Sequence, residues 1–310
     1  MRWIICILIA LVPPAATAAE LFGSSPGART IPLTLRDGKP MLSARVGARS
    51  GVMMFDTGSA YPVMLNRDAL ALAPGHELAR GKTASGQDII VQGHSEDVPS
   101  VMIAEMPMEL PAPVLSGNFG FTRDGLGADF LGFVGLPAVS RHAFLLDLGR
   151  LKLVLSDAGQ TGDRAFPRLD QGAIRTDIDF ALSEGSLPTW AGRVGSLPVS
   201  IDVDTGDGGT FYLDAETRSG LMAAGHLHTD GDGTGRVAGL VFGNATFDGV
   251  WLRLVEAGGV EDIRGPGAPV LLRLGARFLA DHPSVWNMPA GRITFLRETA
   301  SHPRPASGAD

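Results

Sequence analysis

The sequence predicts an all-β protein with a few short helices, folded as two homologous lobes, and three observations carry that expectation. Glycine and proline are plentiful, at 41 and 21 residues, while long amphipathic helical patterns are scarce, a balance that favours strands and turns. A chain of 310 residues exceeds one small domain and suits two lobes of about 140 residues, each able to bury its own core. The third observation is an internal repeat, which reveals architecture before any single motif does. Arg45-Val46-Gly47 precedes Asp56-Thr57-Gly58 by the same interval at which Arg193-Val194-Gly195 precedes Asp204-Thr205-Gly206.

The repeat continues downstream. Phe144-Leu145-Leu146-Asp147 leads to Gly149-Arg150-Leu151-Lys152-Leu153, and Ser284-Val285-Trp286-Asn287 leads to Gly291-Arg292-Ile293-Thr294-Phe295. Each reads as a β-hairpin turning at glycine. Between these landmarks the first half carries Phe133-Val134-Gly135 and the second Leu274-Gly275 followed by Phe278-Leu279. Met53 to Phe55 and Val199 to Val203 are apolar runs of strand length that stop at a glycine-containing turn, so each aspartate caps a buried strand. Short helices are expected over Leu65 to Leu72 and Leu136 to His142. The expected boundaries are a first lobe over 20–158, a linker over 159–175 with little periodicity, a second lobe over 176–298, and a disordered tail over 299–310 rich in Pro, Ser, Ala and Gly.

Residues 1–19 read as a secretory signal: Arg2, an apolar run from Trp3 to Val12, and the small residues Ala16-Thr17-Ala18. The expected location is therefore exported, periplasmic or secreted; an uncleaved anchor is the alternative, though the run is short for a bilayer. The single cysteine, Cys6, lies in this segment, so the mature chain is expected to have no disulfide, zinc-thiolate or cysteine-nucleophile chemistry. The net charge is -7, and loss of Arg2 with the signal makes it about -8. Such an acidic chain, without a basic run, argues against nucleic acid or anionic membrane as a partner.

One Asp-Thr-Gly is an ordinary acidic turn, but two in register within a repeat have chemical meaning. Peptide hydrolysis without a metal or a covalent nucleophile needs water activated on one side and a carbonyl protonated on the other. Two close carboxylates that cannot both ionise do both, sharing one proton. From about Ile31 to Phe295 the chain resembles the pepsin and retropepsin-like aspartic proteases in their bilobal, single-chain bacterial-type form. The resemblance implies the acid-protease fold, two β-barrel-like lobes with a cleft between them, and a peptide or protein as substrate. It implies Asp56 and Asp204 as catalytic residues and no cofactor or metal. Both half-sites lie on one chain, so a monomer is expected. The competing reading is a catalytically inactive relative that binds peptides in its cleft.

The resemblance also assigns supporting roles. Thr57 and Thr205 should hydrogen-bond to the opposite loop, Gly58 and Gly206 should allow the tight turn, and Ser59 fits the position that steadies the outer carboxylate oxygen. Asp207 departs from that pattern in the second lobe: an ionised side chain there should repel Asp204 unless it is protonated or paired, and the alternative is that it turns outward and leaves Gly208 and Gly209 to shape the loop. Asp202 and Arg273 are two further departures, placed against Met54 and Val134 of the first lobe; they either pair with one another or reach solvent. Ser85, Gly86 and Gln87 mark a possible flap tip, which lacks the tyrosine of pepsins since Tyr61 and Tyr212 are the only two.

The cluster from His226 to Asp232 invites a metal reading, but it lacks the spacing and closing glutamate of a Ca²⁺ loop and reads as a solvated hairpin. Neither a phosphate-binding turn nor a nucleophile-elbow serine is visible.

Overall fold

The computed structural model describes residues 28–82, 87–96, 98–108, 110, 112–156, 173–180, 187–256 and 270–297. Strands dominate, as the glycine and proline content implied, and they form three sheets. A ten-stranded sheet is drawn from the first half of the chain and a nine-stranded sheet from the second. The third, six-stranded, takes strands from both halves: Arg29–Pro32, Lys152–Leu155, Ala143–Asp147, Ser284–Asn287, Arg292–Leu296 and Ile174–Asp179, in that order.

At the middle of this shared sheet the two expected hairpins meet. Ala143–Asp147 pairs antiparallel with Lys152–Leu155, Ser284–Asn287 with Arg292–Leu296, and the hairpins join through Phe144 opposite Trp286. Those rings stack at 5.4 Å, and Phe55 meets Phe144 edge-on at 5.8 Å. All three side chains are fully buried. Phe55 immediately precedes Asp56, so the shared core holds the end of the first aspartate strand.

The repeat extends to every strand of the nine-stranded sheet, which runs in the same order as its first-lobe counterpart. In the first lobe Arg49–Asp56 runs parallel to Phe130–Gly135, which is antiparallel to Val63–Asn66, itself parallel to Val114–Gly117. In the second, Leu197–Asp204, Val270–Gly275, Thr210–Leu213 and Val250–Glu256 stand in the same relations. The glycine closing each apolar segment has a steric cause. A Cβ at Gly135 would lie 2.0 Å from the Tyr61 carbonyl oxygen, and one at Gly275 would lie 2.1 Å from the Gly209 nitrogen. No side chain fits where the loop after each aspartate folds back.

Several local expectations need correction. The helix expected over Leu65 to Leu72 is one turn, Arg67–Leu70, because Leu65 and Asn66 belong to strand Val63–Asn66 and the Asn66 side chain caps the turn by accepting from the Ala69 N–H. The one expected over Leu136 to His142 is a 3-10 turn, Leu136–Val139, beginning with Pro137 near its start. The sequence reading missed Ala215–Ala223, which Asp214 caps by accepting from the Thr217 N–H at 2.7 Å. It also missed Ala276–Asp281. Within the expected linker, Ile174 and Arg175 already open strand Ile174–Asp179, drawn in by pairing with Arg292–Leu296. The remaining linker up to residue 172, the leader 1–19, the tail 299–310 and the flap-tip residues Ser85 and Gly86 lie outside the described residues.

Candidate active site

Asp56 and Asp204 each end a buried strand that runs beside the glycine of the neighbouring strand, Asp56 opposite Gly135 and Asp204 opposite Gly275. The turns beyond them are built alike. The Gly58 N–H donates to Asp56 Oδ1 at 2.9 Å and the Gly206 N–H to Asp204 Oδ1 at 2.8 Å. Each carboxylate thus folds over its own turn, the local bonding that makes aspartate a turn residue.

The threonines lock the two turns together. The Thr57 N–H donates to Thr205 Oγ1 and the Thr205 N–H to Thr57 Oγ1, both at 3.0 Å. The hydroxyls donate onward, Thr57 to the Val203 carbonyl at 3.2 Å and Thr205 to the Phe55 carbonyl. Both threonines are fully buried. Four reciprocal bonds at about 1 kcal/mol each fix the separation of the turns.

This grip sets the carboxyls of Asp56 and Asp204 beside one another, close enough that a single Cβ at Gly206 would lie 3.0 Å from Asp56 Oδ1 and 3.1 Å from Asp204 Oδ1. Little space is left around them: a Cβ at Gly58 would sit 2.3 Å from Asp204 Cγ. Burial raises the pKa of Asp56 above the usual carboxylate value, while Asp204, the Gly58 N–H, the charge of Arg273 and the Ser59 N–H work the other way. Burial raises Asp204 well above it, reinforced by the charge of Asp56 and opposed by Arg273. Two desolvated carboxyls side by side hold a proton into a pH range where isolated ones have lost it.

Two supporting assignments change. Ser59 does not steady the outer oxygen of Asp56 with its hydroxyl, which donates to the Tyr61 carbonyl at 3.3 Å; its contribution comes from the backbone N–H. Arg273 corresponds to Phe133 and not to Val134, because the parallel registers pair Met54 with Phe133 and Asp202 with Arg273.

The second-lobe departures form a network. The Arg273 Nε and Nη2 donate to Asp202 Oδ1 and Oδ2 at 3.1 and 2.8 Å, while Nη1 stands 3.2 Å from Asp204 Oδ2. Burial works against the charge of Arg273, but Asp202 and Asp204 outweigh it and its pKa is raised. Asp207 turns away from the dyad; its carboxylate accepts from the Gly209 N–H at 2.7 Å and from Thr210 Oγ1 at 3.0 Å, with Arg253 Nη2 4.0 Å away. Its charge still raises the pKa of Asp204, in the direction the sequence implied.

The dyad opens on a cleft of about 580 Å³. The first lobe lines it with Met54, Phe119, Phe121, Leu126 and Phe133, and the second with Gly208, Gly209, Trp251 and Arg253. Of these wall residues Phe119, Phe121, Leu126, Trp251 and Arg253 drew no notice in the sequence, and only the alternation of Trp251 and Arg253 on one strand offered a signal. Gln87 lines the cleft beside hairpin His76–Lys82 and Asp88–His94, the stem expected to carry the flap. The stretch from His226 forms hairpin Leu227–Thr229 and Thr234–Val237, which occupies the corresponding place in the second lobe. Among the described residues no cluster of three potential metal ligands occurs and no helix is long and apolar enough to cross a membrane.

The fold and the paired turns together define a bilobal, pepsin-like architecture. The chain is similar to an aspartic proteinase from Irpex lacteus, with a TM-score of 0.51 over 88% of this chain and 98% of that one, at 14% identity. Likeness at that identity shows a shared fold. No protein-family model matches the chain, and no curated protein matches it in sequence.

Proposed function

We propose that the protein is an exported, monomeric aspartic endopeptidase. The observation that carries this reading is the placement of Asp56 and Asp204 side by side in one cleft, with both pKa values raised by burial. In that reaction the ionised carboxyl takes a proton from water as its oxygen bonds to the scissile carbonyl carbon, and the protonated carboxyl gives its proton to the carbonyl oxygen. The resulting gem-diol collapses: the C–N bond breaks, the amine leaves with a proton, and the pair is left sharing one proton again. The apolar wall of Met54, Phe119, Phe121, Leu126 and Phe133 suits a bulky apolar side chain of an extended peptide.

The test incubates the mature protein with a mixed peptide library from acidic to neutral pH, beside Asp56→Asn and Asp204→Asn variants verified as folded. Wild type should cut and both variants should lose at least 10³-fold, the order expected on removing a group that acts in the transition state. A wild type that cuts nothing while binding peptide in the cleft would replace the enzyme with a binding protein. Export is tested separately: mass spectrometry of the native protein should find a new N-terminus near Ala19 or Glu20, and an intact Met1 in a cytoplasmic fraction would refute it.

A further inference from the structure

The two sides of the dyad are not equivalent. On the Asp56 side the pair of residues two positions before the aspartate and its facing glycine is Met54 and Phe133, both apolar. On the Asp204 side it is Asp202 and Arg273. Asp202 takes two nitrogens of the guanidinium in a fork, which fixes the plane of the group, and the third nitrogen is thereby aimed at Asp204 Oδ2 at 3.2 Å.

We propose that Arg273 is a positioning residue that gives the two aspartates fixed and different roles, holding the negative charge on Asp204 and leaving the shared proton on Asp56. Asp204 then receives the proton of water and Asp56 protonates the carbonyl. The assignment of these chemical roles rests on the peptidase reading; the placement of charge does not.

All charged and titratable neighbours bear on this. Asp202 precedes Asp204 on the same strand and is committed to Arg273. Asp207, on the following turn, pushes against charge on Asp204, while Arg253 on the strand Val250–Glu256 faces Asp207 at 4.0 Å and offsets part of it. Tyr212, on Thr210–Leu213, is held protonated to higher pH by burial and adds no charge near neutrality. Asp56 approaches from the other lobe. The raised pKa of Asp204 includes the charge of Asp56 as its second cause, so it describes the last proton of the pair. Which carboxyl keeps that proton depends on contacts that differ between them. The charge of Arg273 favours the ionised form of both carboxyls, but among the described residues only Asp204 is in ion-pair contact with it, at 3.2 Å.

The experiment isolates each carboxyl. In Asp56→Asn only Asp204 can titrate within the dyad, and in Asp204→Asn only Asp56 can; isotope-edited difference infrared spectroscopy follows the protonated carboxyl band with pH. Asp204 should titrate at least one pH unit below Asp56, a tenfold difference in proton affinity. Adding Asp202→Met and Arg273→Phe, which rebuilds the first-lobe pair, should raise the Asp204 titration and remove the difference; a folded double variant is verified by its cooperative melting.

If Asp204 titrates at or above Asp56, or if the rebuilt pair leaves the order unchanged, the proposal is overturned. Neither readout needs activity, so a protein that cuts nothing but shows the expected order would sink the peptidase reading alone. Where the wild type is active, the rebuilt pair should also move both limbs of the pH profile of kcat/KM to higher pH.

Discussion

The two lobes share a nine-strand order and the same reciprocal threonine bonds, yet they surround their aspartates differently. The first lobe packs Met54 and Phe133 beside Asp56, and its loop continues through Ser59 into Tyr61 and Pro62. The second places the ion pair Asp202 and Arg273 beside Asp204, and its loop continues through Asp207, Gly208 and Gly209. What the two lobes keep in common sets the position of the carboxyls. What differs sets their charge. Duplicated strands therefore supply a symmetric frame on which an electrically asymmetric site is built.

The largest effect expected from this contrast follows removal of half of the second-lobe pair. Arg273→Leu leaves Asp202, 6% exposed, without its partner and takes a counter-charge from Asp204. Stability should fall by about 3 to 5 kcal/mol in urea unfolding, while the paired replacement with Met and Phe should cost far less or even stabilise. The contrast between lobes weakens if the single and double replacements unfold alike.

A second asymmetry lies seven residues beyond the two facing glycines. His142 Nδ1 is bonded to the Ser156 carbonyl oxygen at 2.7 Å. His282, its counterpart after Gly275, packs against the rings of Phe278 and Phe247 at 4.4 and 5.2 Å, and its Nδ1 is buried without a hydrogen-bond partner among the described residues. Burial, with Arg175 adding to it, pushes its pKa down to about 4. A histidine whose folded-state pKa is depressed stabilises the fold above its unfolded pKa of about 6.5, and that contribution is lost as pH falls toward the folded value. Between pH 7 and pH 4.5 the wild type should lose roughly 2 to 3 kcal/mol through this group alone. His282→Phe should flatten that part of the profile, measured by denaturant unfolding at both pH values.

The sequence revealed the frame better than the charges. Paired Asp-Thr-Gly turns, two glycine hairpins and the apolar segments before Gly135 and Gly275 were readable because each is a local pattern with one steric cause. The helix Ala215–Ala223 escaped notice because it buries only Leu221 and so shows almost no apolar stripe. The correspondence of the hairpin beyond His226 with the flap stem was hidden by length, since its strands have three and four residues against seven and seven. Ser59 and Arg273 illustrate a different limit. Arg273 finds Asp202 through the parallel strand register, which spacing in the chain does not encode, and the Ser59 hydroxyl turns to the Tyr61 carbonyl two residues on instead of to the carboxylate. The misalignment of Arg273 with Val134 arose in the same way, and the parallel register removed it.

The smallest effect concerns Asp207, where the second loop carries a carboxylate and the first carries Ser59. The side chain of Asp207 is held away from the dyad by the Gly209 N–H and Thr210 Oγ1, so it offers Asp204 neither a hydrogen bond nor a direct clash. Its influence is through charge, and that charge favours the protonated form of Asp204. Asp207→Ser removes the charge and keeps an oxygen able to accept from Gly209. The upper apparent pKa of the dyad should fall, so the basic limb of kcat/KM should move to lower pH. The shift should be small, about a few tenths of a pH unit, because Arg253 at 4.0 Å already offsets part of the charge of Asp207 and the cleft admits solvent that screens the rest. Asp207→Asn should shift the limb in the same direction by the same amount, since it too removes the charge, and Arg253→Gln should shift it oppositely by freeing Asp207 to act. Should Asp207→Ser move the limb while Asp207→Asn does not, the effect would come from a new serine bond, and the loop rather than its charge would distinguish the second lobe from the first.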